Sequence, residues 1–180
     1  TDVACNGGNN GAVSLTITGG AGSYTYNWGG GITTQNRSNL SAGAYSVTAT
    51  DANGCTVSTL ATVNQPTVLA VSETHTNVSC NAGSNATIDV TSTGGTSPYA
   101  YNWGAGITTE DRSNLAAGTY TVSVADNHSC SATLSVVITQ PAVLAASATQ
   151  TNVMCNGALT GAINLSVSGG TSAYNFNWSN

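Results

Sequence analysis

Apolar and polar residues alternate along short segments of this chain, and the alternation returns at a fixed interval. Val13, Leu15 and Ile17 are separated by Ser and Thr, and a similar pattern recurs at Ile88 and at Ile163. Alternation with a period of two predicts a β-strand with one buried and one solvated face. No segment shows the 3.6-residue period of an amphipathic helix, so the pattern predicts an all-β chain.

Further strand signals follow within one unit of the pattern. The predicted strands are Tyr24 to Trp28, Ile32 to Leu40 (the weakest), Tyr45 to Ala49, Thr56 to Val63 and, opening the next unit, Val68 to Thr74. Asp51-Ala52-Asn53-Gly54 is a hairpin signal. Strands roughly ten residues apart with Gly-rich turns are typical of β-sandwiches. We therefore expect tandem Ig-like or Greek-key sandwich modules.

A 75-residue unit repeats without insertion or deletion, which indicates an array of modules. Two registers carry it most clearly: Cys5, Cys80 and Cys155, and Trp28, Trp103 and Trp178. Gln65-Pro66 and Gln140-Pro141 close the units, and proline stiffens these connections. The predicted modules are residues 1–66, which lack an opening strand, residues 67–141, which are complete, and residues 142–180, which end after the Trp strand. We expect an extended array, cut from a longer one.

Charge excludes several classes of partner. The net charge is −5, lysine is absent, and Arg37 and Arg112 are the same position of two repeats. Two cations cannot neutralise a phosphate backbone, so neither nucleic acid nor an anionic membrane is an expected partner. No apolar run reaches the roughly 18 residues of a membrane span, so no direct membrane insertion is expected.

Candidate chemistry is sparse. No Ser-His-Asp set, paired carboxylate or phosphate loop recurs, and His75 and His128 do not repeat, which indicates surface residues. Asp51 and Asp126 head equivalent turns, where an Asx-turn role is favoured over half of a calcium site because carboxylates never cluster. Salt bridges from Arg37 to Asp51 and from Arg112 to Asp126 are a further hypothesis. We predict no enzyme activity, cofactor or metal.

The cysteines allow two pairings that preserve the repeat. One joins Cys5 to Cys55 and Cys80 to Cys130, and the other joins Cys55 to Cys80 and Cys130 to Cys155. Loop entropy does not separate them. Four predicted strands lie between Cys5 and Cys55, and an even number of reversals returns the chain to the same end, which favours the first pairing. Cys155 would then pair beyond residue 180. Paired cysteines indicate an oxidising, extracellular setting.

Aromatic residues form a stripe that suggests either a core or an exposed platform for sugar rings. A small module needs large buried side chains, which favours the core. Tyr45 and Tyr120 resemble tyrosine corners. The predicted core aromatics are Tyr24, Tyr26, Trp28, Tyr45, Tyr99, Tyr101, Trp103, Tyr120, Tyr174, Phe176 and Trp178.

The segments Cys5-Asn6-Gly7 and Tyr24-Thr25-Tyr26-Asn27-Trp28, together with Gly19-Gly20, resemble the SprB repeat of surface adhesins of gliding bacteria. The copies depart from one another at Ala86, Phe176 and Ser129, and Ser129 weakens the Asn-Gly-type turn there. The resemblance implies a very large, repetitive cell-surface protein of the Bacteroidota, exported by the type IX pathway and in some cases driving gliding.

Three functions compete. The first is a disulfide-stabilised stalk whose repeats contact only their neighbours and present an adhesive tip. The second is weak multivalent binding of glycans or solid surfaces by the repeats themselves. The third is lateral self-assembly through unprotected edge strands.

Overall fold

A computed structural model describes residues 1–179. These residues form thirteen strands and no helix: β1 Gly11–Val13, β2 Thr25–Asn27, β3 Arg37–Leu40, β4 Gly43–Thr50, β5 Thr56–Val63, β6 Ala70–Thr76, β7 Ala86–Thr93, β8 Ala100–Asn102, β9 Arg112–Leu115, β10 Gly118–Ala125, β11 Ser131–Ile138, β12 Ala145–Thr151 and β13 Ala162–Ser168. The predicted all-β class of sandwich-type modules is confirmed.

The sheets are small and repeat in kind. The first repeat contributes β1-β3 and β2-β4-β5, the second contributes β6-β7-β9 and β11-β10-β8, and the third contributes β12-β13. The β4–β5 hairpin pairs Thr50 with Thr56 and Gly43 with Val63, so its turn lies at the predicted Asp51–Gly54 position. Several of these strands bury alternate residues, as Ile88 and Val90 do on β7.

Three predicted strands are shorter than expected. The strand from Tyr24 to Trp28 is reduced to Thr25–Asn27, and two others lose more of their length. The strand through Val13, Leu15 and Ile17 ends at Val13, and the segment from Ile32 forms a strand only from Arg37. In the later repeats the corresponding strands β7 and β13 are long, and each has an opening strand, β6 or β12, beside it. By the 75-residue period, Thr1 is the equivalent of Thr76, so residues 1–179 include only the last position of a β6 equivalent in the first repeat.

The chain divides into two compact units. The first contains Thr1–Val71, Ser92–Tyr101 and Ser123–Thr133, and the second contains Ser72–Thr91, Asn102–Val122 and Leu134–Asn180. In the first unit, Val3, Leu40 and Val63 form a buried cluster against which Val13, Ala42 and Tyr45 pack. The second contains buried Ile88, Val122, Val136 and Ile138. The module boundaries at residues 66 and 141 stay a prediction.

Candidate functional site at the repeat joints

Asp51 organises the turn that ends the β4–β5 hairpin. Its Oδ1 accepts the backbone N–H groups of Asn53 and Cys55, both at 2.9 Å, and its Oδ2 accepts that of Ala21 at 3.0 Å. These hydrogen bonds, from Ala21 first and then from Cys55, lower the pKa of the Asp51 carboxyl because they favour its charged form. Asp51 is thus a turn-forming residue, as the Asx-turn interpretation expects.

Asp126 repeats this turn in a more buried setting, with 6% of its surface exposed. Burial acts to raise the pKa of the carboxyl, but hydrogen bonds from the N–H groups of Thr96, Cys130 and His128 outweigh it, so the pKa is lowered. Ser129 takes the left-handed conformation, with φ 65°, that Gly54 takes with φ 86° in the first copy. The Ser substitution therefore leaves the turn intact.

The predicted Arg–Asp ion pairs are wrong. The guanidinium of Arg37 lies 5.7 Å from the centre of the Trp28 ring and 5.1 Å from that of Tyr45. The guanidinium of Arg112 lies 5.5 Å from the ring centres of both Trp103 and Tyr120. Backbone N–H groups occupy the two carboxylates, and the arginines stack instead on aromatic faces in cation–π contacts.

The polar edges of the aromatic residues bond to nearby backbone. Trp28 Nε1 donates to the carbonyl of Thr34 at 2.8 Å, and Trp103 Nε1 donates to that of Thr109 at 2.9 Å. The hydroxyl of Tyr45 donates to Ser41 O at 2.8 Å, and Tyr120 repeats this contact at Ala116, as a tyrosine corner requires. Hydroxyls that bond to the Gly-Gly turns belong to Tyr24, Tyr99 and Tyr174.

Exposure divides the predicted core aromatics. In the first two repeats Tyr24, Tyr26, Trp28, Tyr45, Tyr99, Tyr101, Trp103 and Tyr120 are half-buried, as is Tyr174 in the third. For Phe176 and Trp178 the predicted core position is wrong, because 56% and 59% of their surfaces are exposed. They line an open cleft of about 510 Å³ with Leu144 and Leu165. The positions equivalent to strands β9 to β11 of this repeat lie after residue 180.

The head loop of the first repeat, residues 4–10, is fixed to the connection that leads into the second. Asn6 Nδ2 donates to Pro66 O at 2.9 Å, and the N–H of Gly7 donates to Gln65 Oε1 at 2.8 Å. Val3 N–H donates to Asn64 O at 2.8 Å. The N–H of Asn64 donates to Asp2 and lowers the pKa of that carboxyl. Asn64, Gln65 and Pro66 of the connection therefore each form a hydrogen bond with residues at the start of the first repeat.

The second head loop, residues 79–85, makes the same contacts with the next connection. Asn81 Nδ2 donates to Pro141 O at 3.0 Å, and the N–H of Ala82 donates to Gln140 Oε1 at 2.9 Å. Thr171 Oγ1, from the third repeat, donates to Ser79 O at 3.3 Å. We call this arrangement of head loop and Gln-Pro connection the joint.

A disulfide crosses the first joint. Cys5 of the first repeat is bonded to Cys130 of the second, with their Cα atoms 5.7 Å apart. Cys55, Cys80 and Cys155 are free and exposed. Neither predicted pairing is observed, so both are corrected: Cys5 does not pair with Cys55, the other cysteine of its repeat, and Cys80 does not pair with Cys130 or with Cys55.

Strand direction explains the correction. Cys5 is held at the Pro66 end of β5, whereas Cys55 precedes β5 at the other end, roughly 25 Å away for eight residues. The pairings Thr25–Thr50 and Gly11–Leu40 show that β2 and β3 both run toward the joint. Because β2 and β3 run in the same direction, strand direction does not reverse at every step between Cys5 and Cys55. The argument from an even number of reversals is therefore wrong.

Cys130 reaches Cys5 because its turn lies at the opening end of the second repeat. The N–H of Thr96 donates to Asp126, and the N–H of the preceding Gly95 donates to Thr67 O, one residue beyond Pro66. Cys5, Asn6, Val68 and Leu69 line one small cleft with Cys130. The sequence did contain a signal for this contact. Asn6 and Gln65 both recur one period later, as Asn81 and Gln140.

Within residues 1–179, no three His, Cys, Asp or Glu side chains are grouped to hold a metal ion. No helix in the described part of the chain is long and apolar enough to cross a membrane. His75 and His128 are exposed, and His75 Nδ1 lies 3.0 Å from Glu73 Oε2.

The SprB repeat model matches residues 1–33, 72–108 and 147–180, more than half of the chain. The chain therefore belongs to the SprB repeat family, and the resemblance is confirmed. The family is one of cell-surface proteins, which indicates that the chain is a repeat segment of the cell-surface adhesin class.

Two further comparisons add little. No curated protein matches the chain. Among solved structures, the amphioxus IgVJ-C2 molecule matches with 16% identity and a TM-score of 0.35, covering 74% of this chain and 97% of that one. A likeness at this level carries no argument about ligand or function.

Proposed function

We propose that the chain is a spacer segment of a large adhesin on the outer surface of the cell, holding an adhesive tip away from that surface. The observation that carries the proposal is the joint, whose Asn–Pro and Gln–backbone hydrogen bonds occur twice. A connection without contacts leaves neighbouring domains free to swing. A connection bonded to a head loop restricts that motion.

The family context and the composition support an extracellular role. Export by the type IX pathway and a part in gliding belong to this proposal, because the family occurs in such adhesins. Trypsin-like proteases cut after Lys or Arg, and the two arginines of this chain are half-buried over aromatic rings. Such a surface suits a stalk that stands in the open environment.

Rotational diffusion tests the spacer proposal. We expect backbone amides of the first and second repeats to report one rotational correlation time by ¹⁵N relaxation. In the reduced protein, removing both side chains in Asn6→Ala/Gln65→Ala should give the repeats separate correlation times. Asn9→Ala, at an exposed position of the same loop, is the matched control. Independent tumbling of the unmodified, oxidised protein would refute the spacer proposal.

Weak multivalent binding of glycans or solid surfaces is the second candidate. Partial exposure of Tyr26, Trp28, Tyr101 and Trp103 favours it, since a ring needs one free face to stack on a sugar. The folded, oxidised chain and a reduced, unfolded control are applied to a glycan array, glass and polystyrene. Fold-dependent binding that Trp103→Ala abolishes, with folding retained, would favour this candidate over the spacer.

Lateral self-assembly is the third candidate, supported by an exposed edge strand. β5 lies at the edge of its sheet, and Val57 and Leu60 on it are 61% and 65% exposed. Exposed apolar edges can pair with another chain. Light scattering that rises with protein concentration and is abolished by Leu60→Lys would support assembly, and a constant monomer mass would exclude it.

A further inference from the structure

We propose that the Cys5–Cys130 bond is one rung of a ladder in which the head cysteine of each repeat is joined to the second cysteine of the following repeat, so that disulfides carry tension along the array. The inference rests on the proposed spacer function. It concerns how the spacer resists extension, which the joint hydrogen bonds alone do not decide.

The spacing of the bond gives the rule. Its cysteines are 125 residues apart, which is one 75-residue period plus the 50 residues from Cys5 to Cys55. Under this rule, the partners of Cys55, Cys80 and Cys155 fall at positions outside residues 1–180. These three cysteines are the free ones, and all three are exposed.

The second joint presents Cys80 as the first presents Cys5. The neighbouring Asn81 donates to Pro141 O as Asn6 does to Pro66 O, and the next residue bonds to Gln140 as Gly7 does to Gln65. Gly170 N–H donates to Ala142 O as Gly95 N–H does to Thr67 O. Cys80 therefore faces the opening end of a following repeat, where the second cysteine of that repeat belongs.

Each rung forms by a balanced oxidation. Two thiols lose two protons and two electrons, and one sulfur–sulfur bond forms. The electrons and protons pass to a disulfide oxidant, either a thiol–disulfide exchange protein or oxidised glutathione, whose own disulfide is reduced to two thiols.

Tension along such an array bypasses most of the chain. A stretch of 125 residues could extend to roughly 400 Å, but the bond holds its ends 5.7 Å apart between Cα atoms. A loop from residue 5 to 130 overlaps the next one, from residue 80 to 205, so successive loops enclose every repeat. Pulling an oxidised array therefore extends only the segments outside the force-bearing loops.

Trypsin distinguishes all three pairings in the chain as it stands. Arg37 and Arg112 are its only tryptic sites and give fragments 1–37, 38–112 and 113–180. Free thiols are blocked with N-ethylmaleimide, and the denatured protein is digested without reduction. We expect fragment 1–37 linked to 113–180, and fragment 38–112 free with two blocked cysteines. Three linked fragments, as Cys5–Cys55 with Cys80–Cys130 would give, or three separate ones, would overturn the proposal.

Single-molecule stretching tests the mechanical claim. The oxidised chain, pulled from its ends, should extend about 400 Å less than the reduced chain. Cys5→Ser should remove this difference, while Cys55→Ser, a matched control at a free thiol, should keep it. Equal extension in both redox states overturns the bypass even if the repeats tumble together, so it is separable from failure of the spacer proposal.

A longer chain tests the ladder itself. A copy of residues 106–180 added after residue 180 places a cysteine at position 205. We expect peptide mapping without reduction to find this cysteine bonded to Cys80. A blocked, free Cys80 in the folded, lengthened chain would restrict the cross-link to the first joint and overturn the ladder.

Discussion

The second and third repeats start from nearly the same sequence pattern and differ in burial. β7 and β13 occupy equivalent positions and both form beside an opening strand. Ile88 on β7 is 1% exposed, whereas its equivalent Ile163 on β13 is 62% exposed. Pairing with a neighbouring strand is enough to form a strand, but burial needs the later strands, which the second of these two repeats has within residues 1–179 and the third does not.

The first repeat shows the reverse deficiency. It has its later strands, yet β1 has three residues where β7 has eight. A Cβ on Gly94 would lie 2.0 Å from Val68 O, so the opening segment of the second repeat packs closely on that glycine. Gly19, the equivalent residue, has nothing within 4 Å. An alternating sequence therefore forms a long strand only where a partner supplies its hydrogen bonds.

Ile88→Ala and Ile163→Ala test this comparison with the largest expected effect. Ile88→Ala should lower the free energy of unfolding by about 2–5 kcal/mol, because it leaves a cavity in a packed interior. The exposed Ile163 should lose less than about 0.5 kcal/mol. Urea unfolding followed by circular dichroism measures both. Equal losses would show that exposure does not separate the two repeats.

Acidification should destabilise the second repeat through Asp126. Its lowered pKa means that the unfolded chain binds the proton more readily. The contribution of the Asp126 carboxylate to stability is therefore full above pH about 4, the pKa of Asp in the unfolded chain. This contribution is lost as the pH falls through the lower pKa of the folded state. Asp126→Asn should flatten this part of the profile of urea midpoint against pH. An unchanged profile would show that the turn does not contribute, and Asp51→Asn gives the same test at a less buried turn.

Arg112→Ala should destabilise the second repeat by about 1 kcal/mol, because it removes a cation between Trp103 and Tyr120. Within residues 1–180 the third repeat has no equivalent arginine. Trp178 therefore shows the same ring position without an arginine stacked on it. Arg112→Lys keeps the charge but not the planar stacking and should recover only part of the loss. Thermal unfolding compares the three proteins, and a neutral Arg112→Ala would show that the stacking is incidental.

Ser129→Gly has the smallest expected effect, a gain of about 0.5–1 kcal/mol. Ser129 holds a positive φ that disfavours any residue with a side chain. The reciprocal change, Gly54→Ser, should cost a similar amount in the first repeat. Urea midpoints of the two variants should therefore move in opposite directions, and a shift of both in the same direction would contradict the backbone explanation.

Local features of the fold were predictable from the sequence. Thr56 to Val63 forms a strand with the predicted bounds, and the preceding hairpin turn lies where Asp51 and Gly54 place it. These features depend on neighbouring residues alone. The destinations of Arg37 and Cys5 were missed, because each contacts a residue brought near by the direction of strands, which alternation does not encode.

By itself, the sequence determined the strand pattern, the 75-residue period, the membership of the SprB repeat family and the turn role of the aspartates. Tertiary structure alone decided which cysteines meet, which rings the arginines cover and which apolar faces are buried. The physical reason is the separation along the chain over which each interaction acts. Strand propensity and turn chemistry act over a few residues, whereas a disulfide needs two Cα atoms within about 7 Å. The parallel course of β2 and β3 keeps Cys55 away from Cys5, and the folding of the joint places Cys5 beside Cys130.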